Sequence, residues 1–255
     1  MGCWSEVKRL GGRAIASCDW QVEKLATDGS HFCVYLSGEL VGEVTWGLSG
    51  DHNLQNALAA IAAARHVGVT PDHACEALAT FKGVKRRLEL LGEAGGDGRV
   101  KLYDDFAHHP TAIASTLEGV RAGVGSDRLL AIIEPRSNTM KLGVHKQALA
   151  DSVKAADASF WYQPGQLEWQ LAEMLKAGEP LSSSEERPSS ATVFATTDDI
   201  VAATVARVAR DPSVNWHLVI MSNGGFENIH QRLLTALQTA LSGETDLPTT
   251  FRIRQ

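Results

Sequence analysis

Between residues 31 and 47 the chain reads HFCVYLSGELVGEVTWG. Phe32, Val34 and Leu36 recur at the two-residue period of a half-buried strand, and Ser37-Gly38 breaks the run with turn residues, so the pattern predicts two short strands joined as a hairpin. The period then changes. In SGDHNLQNALAAIAAARHVGV, Leu54, Leu58, Ile61 and Ala62 fall on one helical stripe, and the alanine-rich composition favours helix. Asp51 is the expected N-cap and Gly68 the expected stop. A second, shorter helix is predicted from about Pro71 to Leu78.

From Phe81 onward, short apolar runs alternate with longer amphipathic ones. VKLYDDFA precedes PTAIASTLEGVRAG, LLAIIEP precedes VHKQALADSVKAA, and ASFWYQP precedes QLEWQLAEML. TVFATT then precedes DDIVAATVARVA, and HLVIMSNGG precedes FENIHQRLLTAL. Five strand–helix units in succession predict an α/β fold, a Rossmann-like open and mainly parallel sheet with helices on both faces. The runs 129–133 and 217–221 are apolar enough to be buried on both sides. Residues 178–190 (GEPLSSSEERPSS) are Ser- and Pro-rich and predict a loop. The chain therefore divides at 1–79, with a hairpin, two helices and no complete sheet, and 80–255, which has the elements of a whole domain.

Composition adds little to this picture beyond what it excludes. A chain of 255 residues with 44% hydrophobic and 21% charged residues can bury a core. The formal net charge of −6 speaks against a dedicated nucleic-acid binder, which carries a basic face. No apolar run reaches the roughly 18–20 residues of a membrane span, and MGCWSEVKRL lacks the apolar core of a signal peptide. The Met1-Gly2-Cys3 start has a loose likeness to an acylation signal and is read here as a cut into a longer chain. Cys3, Cys18, Cys33 and Cys75 are scattered without a CxxC pair, as in a reduced, cytoplasmic protein.

Ligands of open parallel sheets gather at the carboxyl ends of the strands. The polar segments fall there: Asp104-Asp105-Phe106-Ala107-His108-His109-Pro110, Glu134-Pro135-Arg136-Ser137-Asn138-Thr139, and Ser222-Asn223-Gly224-Gly225. Each leads into a helix, whose first N–H groups favour anions. The bland reading of His108-His109-Pro110 is a helix entrance, and of Asn223-Gly224-Gly225 a tight turn. Adjacent histidines beside an aspartate lack the spacing of a zinc site. Arg86-Arg87, near Lys82 and Lys85, is either a solvated basic linker or a source of guanidinium for a phosphate. No GxGxxG follows a strand and no GxxxxGK[ST] occurs anywhere, so neither a dinucleotide oxidoreductase nor phosphate cradling by a P-loop of this chain is expected.

Three patterns in order and spacing resemble the Mur ligases, the ATP-dependent enzymes that assemble the peptidoglycan peptide. G-x-H-N-x-x-N-x-L-A-A is met by Gly50, His52, Asn53, Asn56, Leu58, Ala59 and Ala60; R-x-E by Arg87, Leu88 and Glu89; and D-[YF]-[AG]-H-x-P by Asp105, Phe106, Ala107, His108 and Pro110. The resemblance covers essentially the whole chain but only the last half or so of a family member. It implies that residues 1–79 are the end of a central ATPase domain and 80–255 the C-terminal domain, with the UDP-sugar domain and the P-loop lying upstream.

What the resemblance implies for the site can be stated residue by residue. His52, Asn53, Asn56 and Asp105 would bind the adenosine of ATP, and Arg87 would approach the γ-phosphate as the last domain closes. His108, His109, Arg136, Asn138 and Thr139 would line the acceptor site, with Arg87 and His108 in catalytic roles. ATP and Mg²⁺ are the implied cofactors, the metal ligands lying mainly upstream. The runs EPRSNTMKLGVH and MSNGGFENIH point to the branch that joins L-alanyl-γ-D-glutamyl-meso-diaminopimelate, a murein tripeptide, to UDP-N-acetylmuramate in cell-wall recycling. The chain alone is expected to be inactive, with no nucleic-acid or membrane partner. The rival readings are the family's UDP-N-acetylmuramate–L-alanine ligase and a non-catalytic nucleotide-binding module.

Overall fold

The structure, a computed structural model, describes residues 6–8, 19–135, 146–163, 165 and 190–242. The predicted helix 166–175, the loop at 178–189, Cys3 and Cys18 lie outside the described residues. Two compact units emerge, Met1–Lys85 with Thr111–Ser126, and Arg86–Pro110 with Asp127–Gln255.

In the first unit, β1 (Glu6–Lys8), β2 (Trp20–Lys24), β3 (His31–Leu36) and β4 (Glu39–Thr45) form one sheet in that order. The expectation of a hairpin with no complete sheet is corrected here, since four strands pair. Strands β3 and β4 are that hairpin, and β2 adds antiparallel to β3 with β1 parallel beyond it. WQVEK carries too short an alternation to announce a strand by itself. Ser37 (φ 51°) and Gly38 (φ 86°) make the turn, both in the left-handed region that a two-residue hairpin matching strand twist requires.

Helices α1 (Asp51–His66) and α2 (Pro71–Ala79) belong to the same unit. Leu54, Leu58 and Ile61, all within 1% of full burial, pack with Val22, Phe32, Val34 and Val44 into its core. The α1 cap differs from expectation: Gly50 occupies the N-cap position at φ 93° and ψ 145°, and Asp51 is the first helical residue. Asp51 is instead held by Lys24 Nζ at 2.5 Å, and its charge faces the positive end of the helix dipole. Burial pushes the Cys75 thiol up to about 11, so it stays protonated and inert.

The second unit is built on a six-stranded sheet of order β5-β6-β10-β7-β8-β9. Its strands are β5 (Glu89–Ala94), β6 (Val100–Asp105), β7 (Arg128–Ile133), β8 (Ala158–Tyr162), β9 (Ser190–Phe194) and β10 (Trp216–Met221). The last five are parallel, as expected, and β5 is an antiparallel edge strand that the sequence reading missed. ELLGEA lacks a clean alternation, and a bulge interrupts its pairing between Leu90 and Gly92. Leu129–Ile133 and Leu218–Met221 are fully buried, which bears out the two-sided burial read from their composition.

Of the other helices among the described residues, α3 (Pro110–Val124) falls almost wholly in the first unit, and α4 (Lys146–Asp151), α5 (Thr197–Ala209) and α6 (Ile229–Leu241) belong to the second. Ile200 and Val208 of α5, with Ile229, Leu233, Leu237 and Leu241 of α6, cover the sheet face formed by Leu102, Leu130, Phe160, Leu218 and Ile220. Strand β10 is inserted between β6 and β7, so the chain order reverses beside β10, where ligands of such sheets bind. Among the described residues no helix is long and apolar enough to cross a membrane.

Candidate functional site

In the first unit, the start of α1 carries His52, Asn53 and Asn56. Asn53 Nδ2 donates to the Ser49 carbonyl at 2.8 Å, and Asn56 Nδ2 to Asn53 Oδ1 at 3.4 Å, so the two amides, one turn apart, form a chain. Asn56 is exposed at the end of that chain. The His52 ring folds back over Gly50, where a Cβ would lie 2.8 Å from Cε1. A glycine is thus required at position 50 twice, by its φ and by the ring. From α3, Gly119 comes so close that a Cβ there would sit 3.0 Å from the Gly50 Cα.

In the second unit, the carboxyl ends of β6 and β10 gather Arg86, Arg87, Asp104, Asp105 and Phe106. Successive residues of a strand point to opposite faces, which gives the two aspartates different work. Asp105 Oδ2 accepts from the Leu88 N–H at 2.8 Å and Oδ1 from the Ala107 N–H at 2.7 Å, so it clasps the linker and the loop before α3. Asp104 turns to the α6 side, where Oδ1 meets His230 Nε2 at 3.1 Å and Oδ2 meets Arg86 Nε at 3.1 Å. Burial would raise the Asp104 carboxyl, but the hydrogen bond and charge of His230, and then the Arg86 guanidinium, hold it below its ordinary range.

The two arginines are differently employed. The Arg86 NH2 group donates to the carbonyls of Ser222 at 2.6 Å and Gly224 at 3.1 Å, besides the bond from Nε to Asp104. Arg87 is exposed, with its guanidinium carbon 5.7 Å from the Phe106 ring centroid. Among the described residues it takes part in no hydrogen bond or ion pair, and its fork is available for an incoming anion. His108 Nδ1 lies 3.0 Å from the Phe106 carbonyl and the ring stands edge-on to Phe106, while His109 is exposed. The structure thus brings Arg87, Asp105 and His108 around Phe106. Arg136, Asn138 and Thr139 lie outside the described residues.

The loop after β10 is held from several sides. Ser222 Oγ donates to Glu134 Oε2 at 2.5 Å and accepts from the Gly224 N–H at 2.9 Å. Phe226, Glu227 and Asn228 then form a short left-handed turn at φ 43°, 48° and 57° before α6. Three such residues in a row, only one of them asparagine, are strained by about 1–3 kcal/mol each and persist only where contacts over-determine them. Glu227 supplies those contacts by accepting from the hydroxyls of Tyr162 and Thr197 (the latter at 2.8 Å), and Phe226 is buried against Tyr162. These two hydrogen bonds lower the Glu227 carboxyl; burial first, then Glu227, pushes Tyr162 up to about 12. Neither Glu227 nor Tyr162 was a site candidate from sequence, since FEN at 226–228 carries no glycine to announce a left-handed turn.

Comparison with known proteins gives the class. Residues 86–223 match the model of the Mur ligase glutamate ligase domain, more than half of the chain. The chain belongs to the Mur ligase family. Over 239 residues, 93% of this chain and 48% of the relative, it is 48% identical to the UDP-N-acetylmuramate–L-alanyl-γ-D-glutamyl-meso-2,6-diaminoheptanedioate ligase of Escherichia coli. It resembles the crystal structure of a murein peptide ligase from Psychrobacter arcticus at 44% identity and a TM-score of 0.60, covering 91% of this chain and 46% of that one. A UDP-N-acetylmuramate–L-alanine ligase of Cereibacter sphaeroides is 46% identical, but over 110 residues, 42% of this chain and 23% of that protein. The chain spans about half the length of the curated tripeptide ligases it matches.

Proposed function

We propose that the complete gene product is an ATP-dependent, ADP-forming ligase that joins a murein tripeptide, L-alanyl-γ-D-glutamyl-meso-diaminopimelate, to UDP-N-acetylmuramate in the cytoplasm. The observation that carries this reading is the likeness to the Escherichia coli tripeptide ligase, 48% identical over 93% of the chain, whereas L-alanine ligases match over 42–56% of it. The reaction class fits the residues present. Arg87 offers an exposed bidentate guanidinium, suited to charge on a transferring phosphoryl group. Asn56 offers an exposed amide, able to donate to and accept from an adenine edge.

In this reading ATP is bound by His52, Asn53, Asn56, Arg87 and Asp105, and the acceptor peptide by His108, His109, Arg136, Asn138 and Thr139. The γ-phosphoryl group passes to the carboxylate of the muramate, ADP leaves, and the alanyl amine displaces phosphate to form the amide. Arg87 offsets negative charge in the first step. His108, beside Phe106, orients the acceptor end. In this reading the ligands for Mg²⁺ lie mainly in the upstream part of the complete protein.

The test is a mass measurement of the product. The complete gene product, given ATP, Mg²⁺, UDP-N-acetylmuramate and the tripeptide, yields the UDP-muramoyl tripeptide with one ADP per amide. Recovery of unchanged substrates under conditions where the protein is folded contradicts the reading.

A further inference from the structure

Arg86 stands one residue before the arginine that the family pattern singles out, and nothing in that pattern gives it a role. It is the first residue of the second unit and adopts φ 59°; Leu88, two residues on, adopts φ 49°. Non-glycine residues in the left-handed region are strained, and Arg87 lies between two of them. Such a backbone stays in place only if something holds it on both sides.

The holding contacts all lead to the carboxyl ends of β6 and β10. The Arg86 backbone N–H donates to Glu89 Oε2 at 2.8 Å, and its carbonyl accepts from the Phe106 N–H at 2.8 Å. Its guanidinium bridges Asp104, Ser222 and Gly224 and lies 5.3 Å from the Phe106 ring centroid. Leu88 is tied down through its N–H to Asp105. The Arg87 side chain can then leave this segment in only a narrow range of directions, although it makes no hydrogen bond of its own among the described residues.

We propose that Arg86 is a positioning residue. It fixes segment 86–88, left-handed at Arg86 and Leu88, to the Ser222–Gly224 loop and so aims Arg87. This rests on the ligase reading only for its catalytic consequence; the anchoring stands on the contacts themselves. Lysine cannot replace arginine here, because one ammonium cannot reproduce the planar fork that reaches a carboxylate and two carbonyls at once.

The test has two arms. In the 255-residue chain, Arg86→Lys speeds amide hydrogen exchange at Leu88 and Phe106 by about tenfold or more, with the amides of β10 unchanged. In the complete gene product, Arg86→Lys lowers kcat by about 100-fold, as a misaimed catalytic group does, while KM for ATP stays within about threefold. Asp104→Asn, which releases the same guanidinium from its other side, gives the same pattern more weakly. Unchanged exchange at Leu88 and Phe106 overturns the anchoring, and a wild-type kcat in Arg86→Lys overturns the aiming of Arg87. If the wild-type gene product makes no amide at all, the ligase reading falls, and the exchange arm still decides the anchor.

Discussion

The Arg86 guanidinium and the Ser222 carbonyl, 136 residues apart in sequence, meet at 2.6 Å. That bond ties the first residue of the second unit to the loop after β10, the last strand of its sheet in sequence order. Arg86, Asp104, His230 and Ser222 form one connected group, and two of its members, Arg86 and Asp104, are a charge pair with the aspartate side chain only 10% exposed. Removing one partner leaves the other uncompensated in a partly dry place.

Asp104→Asn is therefore expected to destabilise the chain by about 1.5–3 kcal/mol at neutral pH, the range for hydrogen bonds to charged groups. The pH dependence has a definite sign. Because the folded carboxyl titrates below its ordinary value, its contribution is complete above about pH 4 and is lost as pH falls through the folded value. Urea midpoints measured from neutral pH down to the onset of acid unfolding should show the wild type losing its advantage over Asp104→Asn below about pH 4. A constant difference across that range contradicts the account.

Gly50 and Gly119 should behave as a coupled pair. Gly119→Ala places a methyl 3.0 Å from the Gly50 Cα, and the expected loss is about 1–3 kcal/mol, as for other overpacked contacts. Gly50→Ala adds strain at φ 93° and a clash with the His52 ring. Urea denaturation of the single and double variants should give a sum that departs from additivity by more than about 0.5 kcal/mol, since the sites touch. Strict additivity would separate them.

The left-handed turn gives a test by glycine. Glu227→Ala loses the Tyr162 and Thr197 bonds and keeps the unfavourable φ of 48°, whereas Glu227→Gly loses the same bonds and relieves the backbone. The glycine variant is expected to be the more stable of the two by about 1 kcal/mol. In both, Tyr162 should ionise below its value of about 12, since one of the groups raising it is gone, while burial keeps it above an exposed tyrosine. Spectrophotometric titration of the phenol reads this directly.

Much of this was legible in the sequence, for reasons that differ by element. The runs at 129–133 and 217–221 had to be two-sided strands because no amphipathic period fits them, and α1 was marked by Leu54, Leu58 and Ile61 at helical spacing. The positions β1, β2 and β5 were hidden, because strands of three to six residues with mixed polarity owe their state to their neighbours rather than to their own pattern. The family patterns picked out Arg87 and Asp105. They could not show that Asp105 accepts from the Leu88 and Ala107 amides, nor that Arg86 and Asp104 hold the segment in place, because those roles depend on which side of β6 each residue faces.

The central claim is that the complete protein takes a preassembled tripeptide rather than a free amino acid. Its most direct test is a competition: ADP-forming turnover of the complete gene product with UDP-N-acetylmuramate, measured as kcat/KM for L-alanyl-γ-D-glutamyl-meso-diaminopimelate and for L-alanine. The account predicts a preference for the tripeptide of at least about 100-fold, the scale on which unfilled polar subsites reject a smaller substrate. Equal use of the two, or a preference for L-alanine, would contradict it and place the protein with the L-alanine ligases.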